Sequence, residues 1–288
     1  MANHEQFFLE DGSLIRYKKS GTGKPLILFH PIRNRLEYFD QVTPLLVNYF
    51  TVYALDLPGF GDSPVNKAVS YDEPYMRMAL VEFIVKNKLS KSTLVGESIG
   101  GVLCATVATM LPSQVEQIIV FNPYDYDTVF GEGIRRANLF ARFILWSMSL
   151  PVLGNIFAAL ENRLILWLIF RGGVYSKKAI TYKYLSLLVS SISKPGNIYH
   201  TRNVLLNFKS WAEAKKQYVK LKTPTTLVYG DHDWSSSQER TQSRILMSPQ
   251  KYVELENMGH FSFLDAPSVV ADIINSKRKL DDIWGLIR

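Results

Sequence analysis

The sequence predicts an α/β protein, a mostly parallel sheet flanked by helices with a helical segment inserted between two strands. Three observations predict it. Short uninterrupted apolar runs, among them PLILF, TVYAL, STLVG and IIVF, alternate with segments of helical spacing, as expected for strands covered on both faces. The runs lead into loops rich in Gly, Pro, Asp and His. Finally, about a hundred residues separate Phe121 from Thr225, where one crossover connection needs only a dozen or so.

The elements follow in order. QFFLE and LIRYKK, joined through Asp11-Gly12, read as a hairpin whose two turn residues both take positive φ. PLILFHP is a buried strand, and FTVYALDLPGFGDS is a second one ending in an Asp-, Pro- and Gly-rich loop. YMRMALVEFIVKNK has helical spacing, STLVG is the next short strand, and GGVLCATVATML is helical again. EQIIVFNP, TTLVYGDHDW and KYVELENMGHF supply three more strands, and APSVVADIINSKRKL closes with a helix. Catalytic groups in such sheets collect at the carboxyl ends of strands, where His30, Asp56, Ser98, Asp233 and His260 all fall. The surplus between the strands is expected to form a lid over 124–207. Residues 1–123 and 208–288 then form one core, and no internal repeat or low-complexity tract suggests a second independent domain.

Composition bounds the rest. With 288 residues, 47% apolar and 20% charged, the chain is globular rather than disordered. Its single cysteine, Cys104, excludes an internal disulfide framework and suits a reducing compartment. The first residues show no basic stretch followed by an apolar run, so a cytoplasmic address is expected. The net charge of +7 is uneven: Arg171 to Lys222 holds eleven Lys and Arg against Glu213 alone, leaving about −3 elsewhere. Such a zone suits an anionic membrane, a phosphorylated ligand or an acidic carrier protein, and a merely solvated lysine-rich face is the alternative. Nucleic acid is not expected, because no recognised binding module accompanies the charge.

The chemistry centres on Gly96-Glu97-Ser98-Ile99-Gly100-Gly101, which fits G-x-S-x-G after a strand and before a helix. A serine on a sharp strand-to-helix turn has strained dihedrals, and small residues on either side let strand and helix approach. The turn lifts the hydroxyl above the sheet and aims the free N–H groups of the helix start at whatever it attacks. Such a nucleophile needs a base, and the base needs an orienting carboxylate. His260 follows the last strand, and Asp231 and Asp233 follow the strand before it.

The chain resembles the α/β-hydrolase superfamily through DG in the first hairpin, LFHP, DLPGFGDS, GESIGG, GDHDW and GHF, in that order. The resemblance covers nearly the whole length outside the lid and implies an eight-stranded sheet. It implies Ser98 as nucleophile, His260 as base and Asp233, in G-x-x-D, as the acid. Asp231 is the second choice and Asp125 the third. Asp56 and Asp62 are expected to hold a loop beside the site, and His30 to brace the loop of the oxyanion hole. The donors of that hole would be the backbone N–H groups of Ile32 and Ile99. Two positions depart from the pattern: Pro31 stands where glycine is usual, and Glu97 where His or Gln is frequent. Glu97 is expected to hydrogen-bond at the rim. Among the other histidines, His4 is expected to be uninvolved, His232 to brace its loop and His200 to be exposed on the lid. No metal and no organic cofactor is implied.

Leu139 to Phe170 contains 23 apolar residues in 32, and Phe143 to Leu160 carries no charge over 18 residues. That reaches the length of a membrane span. Pro151, Gly154 and Asn155 interrupt it, however, and later strands must rejoin the same sheet. Two apolar helices joined near Pro151 and Gly154 are expected instead, roofing the serine, with some surface available to a membrane. An apolar roof favours a hydrophobic substrate. The expected function is therefore hydrolysis of an ester or thioester of a hydrophobic acyl group through an acyl-enzyme. Carbon–carbon bond cleavage on the same residues, or ligand capture without catalysis, stand as alternatives, since fold does not fix chemistry.

Overall fold

In a computed structural model, residues 4–127, 133 and 139–285 are described, without the side chains of 141 and 277–285. Residues 128–132 and 134–138 of the expected lid, and 1–3 and 286–288 of the expected core, lie outside them. β1 (His4–Phe8) and β2 (Leu14–Ser20) form an antiparallel hairpin. Its turn differs from the expected one. Only Gly12 has positive φ, and the Gly12 N–H donates to Leu9 O at 3.0 Å, the geometry of a three-residue loop with one left-handed residue.

β3 (Lys24–Phe29) and β4 (Phe50–Leu55) precede α1 (Glu73–Lys86), whose start is capped by Asp72 accepting from the Tyr75 N–H. β5 (Ser92–Glu97) passes through Ser98 into α2 (Ile99–Met110), and β6 (Val115–Phe121) follows. After β6 the described chain runs through α3 (Leu139–Met148), α4 (Gly154–Ala159), α5 (Arg163–Arg171), α6 (Tyr182–Ile192), α7 (Asn197–Leu206) and α8 (Lys209–Ala214). It re-enters the sheet as β7 (Thr225–Gly230), then forms α9 (Ser237–Met247), β8 (Lys251–Leu255), α10 (Ser262–Asp265) and α11 (Pro267–Gly285).

The eight strands lie in the order β1-β2-β4-β3-β5-β6-β7-β8. β2 is antiparallel to both neighbours, and the six strands from β4 to β8 are parallel. The chain reverses direction across the sheet between β3 and β5, the place where open α/β sheets form a crevice at the carboxyl ends. Register aligns those ends: Phe29 pairs with Gly96, Glu97 with Phe121, and Phe121 with Val228. The loops after β3, β5, β6 and β7 therefore start side by side.

The 139–170 stretch is three helices, not two. Asn162 accepts from the N–H groups of Leu164 and Ile165 and starts α5, an N-cap signal present in the sequence. Among the described residues, no helix is long and apolar enough to cross a membrane. Several basic residues counted toward the basic zone are used internally. Lys194 donates to the carbonyls of Gly59, Gly61 and Ser63, and Lys215 pairs with Asp125 at 3.2 Å. Arg202 donates to the carbonyls of Met148, Leu150 and Pro151.

Candidate active site

Ser98 has φ 61° and ψ −125°, a backbone that non-glycine residues adopt only when the surroundings hold it. Its N–H donates to Phe121 O at 3.1 Å, and α2 begins immediately. The flanking glycines answer a steric need. A Cβ on Gly96 would stand 2.2 Å from Gly100 O, and one on Gly100 would stand 2.1 Å from Phe29 O. Strand, turn and helix can approach this closely only without those side chains.

The structure brings Ser98, His260 and Asp233 together. His260 Nε2 lies 2.8 Å from Ser98 Oγ, and His260 Nδ1 lies 2.5 Å from Asp233 Oδ1. A carboxylate at Nδ1 places the proton there, so Nε2 faces the serine as an acceptor. Asp233 Oδ2 accepts from both the backbone N–H and the hydroxyl of Ser235. Burial raises the Asp233 pKa, but His260 and these donors outweigh it and hold the carboxyl below its usual range. Ser98 and His260 are wholly buried. The His260 ring stacks on Trp234, with centroids 3.9 Å apart and planes 12° apart, and the Trp234 indole N–H donates to Gly172 O at 2.8 Å.

The other carboxylates are engaged elsewhere. Asp231 accepts from the Asn257 and Met258 N–H groups and contacts His232, fixing the turn before His260. Asp125 is buried with Lys215 and Ser243. Asp56 accepts from Arg16 and from the N–H groups of Leu36 and Asp62. Asp62 pairs with Arg16 and Arg35.

Glu97 corrects an expectation. It is fully buried, not at a rim. Its Oε1 accepts from the Ser262 N–H at 2.8 Å and from Asn122 Nδ2 at 3.2 Å, and its Oε2 shares a hydrogen bond with the Tyr38 hydroxyl. Burial pushes its pKa up to about 8 against the opposing pull of these donors. Asn122, directly after β6, donates to Gly259 O, His260 O and Ser262 Oγ, while its Oδ1 accepts from the Gly230 N–H. Glu97 and Asn122 thus tie the His260 loop to the ends of β5, β6 and β7. Sequence reading does not single out Asn122. Its one signal is an amide directly after a buried strand.

His200 also differs from expectation, being buried between Phe60 and Tyr71 with ring centroids 4.5 and 4.4 Å away. Its backbone sits on α7, yet its ring fills a gap in the loop after β4. His30 Nδ1 donates to Pro31 O at 2.7 Å, and its Nε2 accepts from the Leu57 N–H at 3.1 Å. Burial lowers its pKa to about 4, so it braces two loops as a neutral ring. The loop continues through Ile32 to Arg33, which has φ 61° and pairs with Glu161 between α4 and α5. Both of these side chains are nearly buried. The N–H groups of Ile32 and Ile99 have no acceptor among the described residues. The described residues also contain no group of His, Cys, Asp and Glu suited to a metal ion.

A serine held by a buried histidine–carboxylate pair, with unpaired N–H groups at the adjoining helix start, can attack a carbonyl and bear the resulting charge. A family model described as alpha/beta hydrolase fold matches residues 24–267. The chain is 26% identical to Abhydrolase domain-containing protein abhd-5.2 of Caenorhabditis elegans, over 84% of this chain and 56% of that protein. It is 29% identical to a pimeloyl-[acyl-carrier protein] methyl ester esterase of Klebsiella pneumoniae, over 33% of this chain and 34% of that protein. The matches thus span about half and about a third of these curated relatives. Cfl2 of Burkholderia cenocepacia has the same fold, with a TM-score of 0.81 at 18% identity, covering 97% of this chain and 95% of that one.

Proposed function

Because the chain belongs to the α/β-hydrolase family, we propose that it is a serine hydrolase cleaving an ester or thioester of a hydrophobic acyl group. The observation that carries this is the chain of hydrogen bonds from Asp233 through His260 to Ser98 at the strained turn. Ser98 Oγ attacks the carbonyl carbon while its proton passes to His260 Nε2, and Asp233 stabilises the imidazolium. The N–H groups of Ile32 and Ile99 receive the oxyanion. His260 then protonates the departing alcohol or thiol, leaving the acyl group on Ser98. A water that gives its proton to His260 attacks the acyl-enzyme, and the return of that proton from His260 Nε2 to Ser98 Oγ releases the acid.

The apolar surroundings of His260 support an apolar acyl group. Tyr124, Trp234 and Phe261 pack around His260, and Phe170 of α5 stacks on Phe261. The K. pneumoniae relative is named for an ester of an acyl-carrier conjugate, which agrees in bond type. Helices α3–α7 would act as the lid that admits the substrate.

A fluorophosphonate probe tests the reading. Labelling of the wild type, but not of Ser98→Ala, followed by turnover of p-nitrophenyl esters graded by chain length, is the expected result. A folded protein that never labels would sink the hydrolase reading in favour of ligand capture. Labelling without ester turnover, but with cleavage of a β-diketone, would reassign the bond to carbon–carbon.

A further inference from the structure

The outward face of α3 and α4 takes no part in the site just described. Phe143 and Trp146 on α3, Val152 in the turn that follows, Ile156 on α4, and Leu160 and Leu164 beyond it are all exposed, Val152 by 81%. Helical spacing puts Phe143 and Trp146 on one side of α3, with ring centroids 6.1 Å apart. The inward sides are already filled by Leu145, Met148, Ala158, Leu166 and Phe170, all buried. The exposed residues are therefore not a shortfall of core. Nor is their orientation loose. Arg202 donates to Met148 O, Leu150 O, Pro151 O and Asn155 Oδ1, fixing the turn between the two helices.

Charge identifies the occupant. From Leu139 to Ala212 the only acid is Glu161, and its side chain is turned inward against Arg33. Arg163 lies beside the apolar face, and exposed lysines follow it in the chain. The Arg163 guanidinium sits 4.1 Å from the ring of Tyr182, next to Leu164, while Lys183, Lys177 and Lys178 are exposed. An apolar edge with cations beside it or following it in the chain, and with no exposed acid among the described residues from Leu139 to Ala212, matches a helix lying in an anionic bilayer interface. A protein partner would also bury aromatic side chains, but lysine is depleted at such interfaces, whereas lysines flanking an apolar edge suit anionic headgroups.

We propose that this face docks on an anionic lipid surface. The α3–α4 edge enters the headgroup region, and Arg163, Lys177, Lys178 and Lys183 meet lipid phosphates and carboxylates. The inference stands apart from the hydrolase reading, since binding does not require Ser98 to react.

The test is flotation of the full chain with phosphatidylcholine vesicles, with and without about 30% phosphatidylserine. Binding should rise about tenfold with the anionic lipid and fall about tenfold in a Val152→Asp/Ile156→Asp double variant. A Lys177→Gln/Lys178→Gln/Lys183→Gln variant should lose the preference for the anionic lipid. Trp emission should shift to the blue on binding and be quenched by brominated acyl chains, and Trp146→Phe should remove most of that signal. Equal melting temperatures certify the Asp variants as folded; where the double variant melts lower, Leu160→Ser takes its place. Absence of binding to either vesicle, or equal binding by wild type and variant, overturns the proposal. A dimer dispersed by Val152→Asp/Ile156→Asp, with no vesicle binding, would instead make the face a contact between copies.

Discussion

Around Ser98, the buried polar groups of Glu97, Asn122, Asp233 and His260 are hydrogen-bonded to one another or to neighbouring backbone. On α3 and α4, by contrast, large apolar side chains face outward while a second set fills the interior. The first region is what the ends of interior strands must be when polar chemistry is buried there, because an unpaired donor or acceptor in such a place costs about 1–3 kcal/mol. The second is not required by folding at all. Folding constrains the strand-end cluster from within, and leaves the outward helical face to the lipid contact proposed above.

The largest effect expected tests the first region at its reacting atoms. Ser98→Ala should lower kcat for the best ester substrate by about 10⁴-fold or more, with little change in melting temperature. His260→Ala should cost about as much, and the double variant little beyond either. Steady-state kinetics on all three checks this. Additive losses would mean that the two residues do not act as one unit. Next comes Asn122→Ala, which strips partners from three acceptors of the His260 loop and from the Gly230 N–H. It also leaves alanine at φ 42°, a region that disfavours it. A loss of about 3 kcal/mol in unfolding free energy is expected from urea titration. A loss near zero would show the strand-end network to be slack.

Glu97→Gln sharpens the comparison through pH. The Glu97 pKa is raised to about 8 by burial, so the folded state holds its proton where the unfolded chain has lost it. Its stabilising contribution is complete below the unfolded value, declines as pH rises through the folded value, and is then gone. The total is on the order of 5 kcal/mol. The substituted amide keeps an oxygen for the Ser262 and Asn122 donors and has no proton to lose. Unfolding free energy of the wild type minus that of the variant should therefore fall between pH 5 and 9. Asp233 and His30 titrate in both proteins and cancel. A flat difference would mean that water reaches the carboxyl.

What can be read from sequence divides along the same line. Ser98, Asp233 and His260 sit at strand ends in loops with steric signatures. Gly96 and Gly100 are demanded by backbone contacts that any such turn makes, so these positions are legible from the chain alone. Sequence reading misplaces Glu97 because what covers it, Tyr38, comes from a short helix 59 residues away, and no local pattern announces that. It misplaces His200 for the same reason, since Phe60 and Tyr71 belong to the loop and helix approach after β4. The third helix escapes notice although Asn162 marks its start, because the apolar composition of 139–170 continues through it and outweighs a one-residue cap. The eight-stranded order, which places β3 beside β5, is shown by the register and matches the architecture that the motifs imply.

The smallest effect is the most discriminating for the second region. Val152→Ser and Ile156→Ser remove apolar surface that is already open to water, Val152 being 81% exposed in the folded chain. Hydrophobic stabilisation follows the area taken from water on folding. A side chain exposed before and after contributes little, so unfolding free energy should stay within about 0.5 kcal/mol of the wild type. Leu166→Ala, on the inward side of α5 and fully buried, should cost about 2–5 kcal/mol in the same titration. The ratio of the two costs measures how far the outward face is free of folding. A large cost for Val152→Ser would mean that this side chain is covered in solution, and the search for what covers it would move from the lipid surface to the protein itself.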